Sequence, residues 1–403
     1  MMRYPRSRGR VQETGKIGRR LGKSIGIGTF RGVSINVHPT FALLLIWVIY
    51  QWGYAANAGL PGVIFGTLVL LAVFGCVLAH ELAHAVVAMH YGLAVHDITL
   101  LPIGGVARIE HASLSPRSES LIALAGPAIN IVIAVMLTPV VMLVAMARNV
   151  NQAFGILLYA DEISVAGFIL YLWIANILLA VFNLLPAFPM DGGRVLRALL
   201  SIKRSRLSAT RFAAYAGQSF AVLLGLAGIL MGDFTLPLVA VFILISAQIE
   251  MRHIEIEAAL RMLPVGQFAL WDNGGISPDA PLSFATSGGP RDLVVTRNNR
   301  VVGILWRHEL MNYLNGSHHE LYVRDVMDRS VHPAELGDSV YDVHLWMHES
   351  NRSAVPVVDN GEYRGIFTTD RLAHVYQVIE ERNRNWQVGM LLAFWNRVRF
   401  VGR

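Results

Sequence analysis

Cysteine is almost absent from this 403-residue chain: Cys76 stands alone within an apolar run, so no disulfide framework exists. Charge is scarce as well. Lys, Arg, Asp and Glu make up 15% of the residues, against about 25% in an ordinary soluble protein. Hydrophobic residues make up 54%, which excludes a wholly soluble class and makes the lipid bilayer an expected partner. Acidic residues are rarest where basic ones cluster. Residues 1–23 carry eight Lys/Arg against Glu13 alone, and residues 194–211 carry six Lys/Arg and no acid. Both segments abut apolar spans, as cytoplasmic flanks of membrane helices do. The net charge of +6 therefore reports topology, and nucleic acid is not an expected partner. The basic stretch is too long for a secretory signal, so no signal peptide is expected.

What is present is a series of apolar spans. The first, Phe41 to Trp52 after His38-Pro39-Thr40, falls short of the ~20 residues a straight span needs and borrows from its flanks. Others cover about 61–89, 119–147, 164–185, 212–231 and 236–250. Six spans with both termini inside place the poorly charged loops 54–61, 148–163 and 232–235 outside. The basic segments fall inside. Residues 92–112 alternate apolar and polar around Pro102 and Gly104-Gly105, the pattern of a β-hairpin associated with the membrane beside protein.

His80-Glu81-Leu82-Ala83-His84 puts two imidazoles one helical turn apart on one face. Both can bind one tetrahedral metal, with Glu81 near enough to take a proton from its water. A carboxylate at mid-membrane costs about 2.5–3.5 kcal/mol, and a metal dication compensates it. Two histidines leave the site short of a third protein ligand. The other ionisable residue at comparable depth is Asp191, in Asn183-Leu-Leu-Pro186-Ala-Phe-Pro189-Met-Asp191-Gly192-Gly193-Arg194. Its prolines and glycines break the helix and let the carboxylate turn inward. Arg194 either orients that carboxylate or meets lipid headgroups. The second and fourth spans both run outside to inside, so the two motifs reach the same depth. A metal or ion transporter is the alternative, since transporters also bury His and Asp, although it has no need of Glu81.

With these motifs the chain resembles the site-2 protease family of intramembrane metalloproteases, in its members with a C-terminal CBS pair. HELAH matches the family's HExxH, NLLPAFPMDGGR its second motif, and Gly126-Pro127-Ala-Ile-Asn130 its GPxxN element. The resemblance spans about 38–250. It implies one zinc ion held by His80, His84 and Asp191, with Glu81 activating the water. It also implies a membrane-anchored protein substrate cut within or beside its transmembrane helix, that is, regulated intramembrane proteolysis at the plasma membrane. Asn130 is a candidate for holding substrate backbone or orienting a ligand, and for an interhelical hydrogen bond equally. Gly104 and Gly105 would permit close approach of an unwound substrate pairing as an added strand. Asn183 and Arg194 are further site candidates. His38, His90, His96 and His111 are interfacial or hairpin residues rather than ligands.

From about residue 264 the chain is α+β. DLVVTRNNRVVGIL (292–305) and SAVPVVDNGEYRGIF (353–367) repeat one pattern at a spacing of about 60 residues. They resemble a tandem CBS module, at about 264–315 and 323–380, which implies an adenine nucleotide or a homodimer contact. The module's strand end reads G-x-x-T-x-x-D. The first copy has Trp306 in place of the Thr; the second keeps Thr368, but Arg371 stands where the Asp belongs and Asp370 precedes it. Nucleotide binding at Thr368 and Asp370 and a structural or dimerising role thus stand as alternatives. The expected organisation is a basic cytoplasmic arm and lead-in over 1–37, a membrane-helical catalytic domain with its β-hairpin over 38–252, and a cytosolic α+β regulatory domain over 253–403.

Overall fold

The computed structural model describes residues 24–102, 104–109, 114–149, 155–160, 162–271, 274–286, 291–314, 321–379 and 381. The basic arm over 1–23, His111 and part of the 148–163 loop lie outside these residues. Two compact units divide between Arg252 and His253.

The first unit begins with β1 (Ile25–Phe30) and β2 (Val33–Val37), followed by a helical stretch, Pro39–Ala55, that contains α1 (Ala42–Val48). Then come α2 (Gly59–His90), β3 (Val95–Leu101), β4 (Gly104–Ile109), α3 (Pro116–Ala147), α4 (Val165–Leu184), α5 (Asp191–Ser201), α6 (Arg206–Met231) and α7 (Thr235–Met262). Among the described residues, α2, α3, α4, α6 and α7 are long and apolar enough to cross a membrane, and Pro39–Ala55 is shorter. The first of the six expected spans, short in the sequence, is a short stretch here as well, begun by Pro39 and ended where Asn57 and Gly59 take positive φ. The last runs on to Met262 rather than ending near 250, because Glu, Arg and Ala after Ile249 are good helix formers. Large apolar side chains such as Met136, Leu223 and Ile229 stay exposed on these helices, which suits a lipid surrounding and no aqueous one.

The four strands form one sheet in the order β1-β2-β3-β4. β3 and β4 are antiparallel, and β2 lies parallel to β3 with Val37 opposite Leu100. Residues 24–37, grouped with the basic arm from sequence, are therefore built into the same sheet as the 92–112 segment. Alternate residues of β3 face inward. Its fully buried Ile98 packs in one cluster with Val33, with Ala85 and Ala88 of α2, and with Ile122 of α3. This seats the sheet on the part of α2 that carries the two histidines, and leaves β4 as a free edge among the described residues.

The second unit repeats one hairpin. β6 (Leu293–Arg297) and β7 (Arg300–Leu305) turn through Asn298-Asn299; β9 (Ala354–Asp359) and β10 (Glu362–Thr368) turn through Asn360-Gly361. All four turn residues have positive φ, the conformation of tight hairpins and the reason for Asn and Gly there. β9 and β10 belong to a sheet ordered β5-β10-β9-β8, with β5 at Leu270–Trp271 and β8 at Ala334–Glu335. Val294, Ile304 and Trp306 of the first copy share a buried cluster with Ala354, Tyr363 and Ile366 of the second.

The indole of Trp306 donates to Asp328 at 2.9 Å, and Arg352 pairs with the same carboxylate at 2.8 Å while lying 4.7 Å over the ring. Burial would raise the Asp328 carboxyl, but hydrogen bonds from Ser330 and Trp306 and the charge of Arg352 outweigh it and hold it at about 2. That lies below the unfolded value of about 3.9. The stability it contributes is thus complete above about pH 4 and lost as pH falls toward about 2. In thermal unfolding across that range, Asp328→Asn is expected to remove part of the acid destabilisation seen in the unchanged protein. Identical acid limbs would refute this role.

Candidate metal centre

α2 carries the two imidazoles, each less than a tenth exposed. Nε2 of His80 and Nε2 of His84 lie 3.1 Å apart, and each lies 3.1 Å from Oδ2 of Asp191. Four atoms around a tetrahedral zinc at about 2.0–2.1 Å stand about 3.3–3.4 Å apart, so this triangle is close to one face of such a site. The other ring nitrogens point away into acceptors. His84 Nδ1 meets the carbonyl of Ile122 at 2.7 Å, and His80 Nδ1 meets Oδ1 of Asn130 at 3.0 Å. A carbonyl only accepts, so the ring proton sits on Nδ1 and each Nε2 presents a bare lone pair. Two such lone pairs and a carboxylate oxygen directed at one point repel one another, and a cation between them satisfies all three. The residues present therefore fit a metal ion, and these three side chains could hold one.

Local sequence explains the arrangement. α4 ends at Leu184, and the Pro186–Pro189 stretch turns the chain so that α5 starts on Asp191. A carboxylate in a first helical turn is favoured by the helix dipole. On α3, Pro127 removes an N–H from the helical ladder and its ring crowds the preceding turn. One residue before that turn, the carbonyl of Ile122 accepts from His84.

Gly126 lies against the cluster itself: a Cβ there would strike Nε2 of His84, and would stand 2.6 Å from Nε2 of His80. Gly105 of β4 does the same for Glu81, since a Cβ would strike its Cγ and lie 2.9 Å from its Cδ. Glu81 is thus held between α2 and the edge strand, next to the metal-binding face.

The structure brings His80, His84, Asp191, Asn130, Glu81 and Gly105 together. Gly104 has a φ of 134° with open space where a side chain would be. Arg194 is exposed and makes no ion pair among the described residues, though its charge bears on both Asp191 and Glu81. Asn183 is not joined to the cluster; its side chain donates to Leu179 of its own helix at 2.9 Å. His38 bonds Thr40 at 2.7 Å at the start of the short helical stretch. In the second unit, Thr368 Oγ1 accepts from the Arg371 N–H at 3.4 Å and Asp370 is exposed.

Gly126 and Ile122 are part of the site although sequence reasoning assigned them no role. The helix-internal Gly-Pro pair was the available signal. Arg197, buried with Glu119 and bonded also to the part-exposed Glu250, was missed as well.

The chain matches Peptidase family M50 over residues 68–227 and the CBS domain over residues 323–377. It is 30% identical to a zinc metalloprotease of Methanocaldococcus jannaschii over 361 residues, covering 89% of this chain and 97% of that one. It is 29% identical to stage IV sporulation protein FB of Bacillus subtilis over 194 residues, covering 48% of this chain and 57% of that one. The solved site-2 protease from M. jannaschii aligns at 33% identity and a TM-score of 0.42, over 57% of this chain and 95% of that one.

Gly126→Ala is expected to reduce bound zinc, measured by elemental analysis of the purified protein, by tenfold or more. Gly75→Ala, on α2 with nothing within 4 Å of the added carbon, serves as the control and should keep its metal. Equal zinc in both would contradict the close packing of Gly126 on the imidazoles.

Proposed function

The chain belongs to peptidase family M50, the site-2 protease family, and on that premise we propose that it hydrolyses peptide bonds within or beside the transmembrane segment of membrane-anchored proteins. It is a multi-pass membrane zinc metalloprotease with a C-terminal CBS region. The observation that carries the proposal is the convergence of His80, His84 and Asp191 beside Glu81, at the free edge of a sheet.

In this reading His80, His84 and Asp191 are the zinc ligands. Zinc held there supplies Lewis acidity and brings the pKa of water toward about 7. Glu81 accepts the proton of the water that adds to the scissile carbonyl carbon. It returns that proton to the amine nitrogen as the C–N bond breaks. Asn130 orients His80 through its Oδ1. Its Nδ2 is buried with no hydrogen-bond partner among the described residues, so it serves as a donor to substrate backbone. The edge of β4, with Gly104 and Gly105, pairs with an unwound substrate segment as an added strand and dips into the membrane beside protein. Arg194 steadies the two carboxylates electrostatically. With Pro39–Ala55 read as a sixth membrane segment, both termini lie in the cytoplasm and the enzyme in the plasma membrane in this proposal, which the basic flanks support.

The tandem CBS region, 264–315 and 323–380, regulates cleavage through association of two chains or through an adenine nucleotide at Thr368 and Asp370. Trp306, buried where the first copy lacks the module's Thr, weighs against a nucleotide at that copy. The domain limit at 252 belongs to the same reading, and the expected limit at 37 moves to 23, because residues 24–37 share the sheet of β3 and β4.

Tagged single-span proteins incubated with unchanged enzyme, with Glu81→Gln and with chelator-treated enzyme test the proposal. Loss of the general base is expected to slow cleavage by about 10²–10⁴-fold, and chelation to abolish it until zinc is restored. Equal cleavage in all three samples would sink the proposal; metal-dependent ion flux without cleavage would favour a transporter.

A further inference from the structure

α5 is 11 residues long and begins on Asp191, so whatever sets the tilt of this helix sets the position of the carboxylate. One charged residue on it is positioned to do so. Arg197 is 6% exposed. Its Nε donates to Oε1 of Glu119 on α3 at 2.7 Å, and its Nη1 donates to Oε1 of Glu250 on α7 at 2.9 Å. Its guanidinium carbon lies 5.1 Å from the centre of the Phe188 ring. That ring is buried among Ala213, Ala214 and Ala247, and the Phe188 N–H bonds the Ala213 carbonyl at 3.1 Å. Phe188 stands three residues before Asp191. A single guanidinium thus ties together α3, α5, α7 and the loop that delivers the carboxylate.

The helix at the far end of the strongest bond is informative. Glu119 lies one turn before Ile122, and α3 also carries Gly126 and Asn130. Fixing Arg197 to Glu119 therefore fixes α5 against the helix that orients both imidazoles. Six residues of α-helix separate Asp191 from Arg197, about 9 Å along the axis. A tilt of about 6° about Arg197 would move the carboxylate by ~1 Å, well beyond the ~0.2 Å tolerance of a metal–ligand distance. Burying an arginine between two carboxylates is no efficient route to stability, since apolar packing of equal volume does as well. What the ion triad adds is direction.

We propose that Arg197 is a positioning residue for Asp191, holding α5 through Glu119 and Glu250 so that the carboxylate completes the metal site. This rests on Asp191 being a zinc ligand. The test uses the full-length, zinc-loaded protein in detergent. Arg197→Lys, Arg197→Met, Glu250→Gln and the triple variant Arg197→Met/Glu119→Gln/Glu250→Gln are compared with the unchanged chain. The readouts are zinc release to a chromogenic chelator, the visible spectrum of the cobalt(II)-substituted protein, and the unfolding temperature of the metal-free protein.

Arg197→Met and the triple variant are expected to release zinc about 10–100-fold faster and to shift the cobalt bands, with Arg197→Lys intermediate. The triple variant, which leaves no charge unpaired, should keep a metal-free unfolding temperature close to that of the unchanged chain. Wild-type zinc release and cobalt bands in the triple variant would overturn the proposal, as would faster release that merely tracks a fall in metal-free stability. If the Arg197 variants fail to fold, Glu250→Gln decides, because its carboxylate is 30% exposed and its loss is tolerable. A several-fold faster release supports the proposal, and an unchanged one overturns it. An unchanged chain that takes up no zinc overturns the metal site as well, whereas zinc-holding variants indistinguishable from it overturn this proposal alone.

Discussion

Three electron pairs directed at one point, in surroundings that are mostly apolar, form the constraint to which the membrane unit is fitted. His80 Nε2, His84 Nε2 and Asp191 Oδ2 cannot relieve one another, since each is an acceptor once the ring protons sit on Nδ1. Holding them 3.1 Å apart requires that the outer ring nitrogens be committed elsewhere. Ile122 and Asn130 take up the outer ring nitrogens, and a helix start lies under the carboxylate. Local helix quality is sacrificed for this. α3 accepts a Gly-Pro pair in its interior, which is unfavourable for any helix, because a side chain at 126 would strike both imidazoles.

The same constraint explains why the sheet sits where it does. Ile98 and Val33 pack on Ala85 and Ala88, the alanines that follow His84 on α2. Small residues there let the sheet approach closely, and β4 is thereby brought onto Glu81. The polar edge of a strand and the acid of the site become neighbours through an alanine-lined contact that carries no chemistry of its own.

Much of this was readable in the residues before any coordinates. Two histidines a turn apart can only share a helical face, and prolines with glycines before Asp191 can only break one. Asn298-Asn299 and Asn360-Gly361 announce hairpins because few other pairs tolerate two positive φ angles. What escaped was long-range. Arg197 sits in a basic block that reads as a cytoplasmic flank; nothing local pairs it with Glu119, 78 positions earlier. β2 lies parallel to a strand about sixty residues away, and no periodicity reveals that. The last apolar span was expected to end near residue 250 and runs on to Met262, because apolar character does not say where a helix stops.

The two imidazoles are steadied by partners of different kinds. His80 depends on a side chain, Asn130, which one codon change can delete. His84 depends on a main-chain carbonyl, which every residue type at position 122 would still supply. One imidazole is therefore genetically fragile in its placement and the other is nearly immune to substitution at its partner. Over evolutionary time, tuning of this metal site would run through His80 and its amide, while His84 served as the fixed point against which such changes were tried.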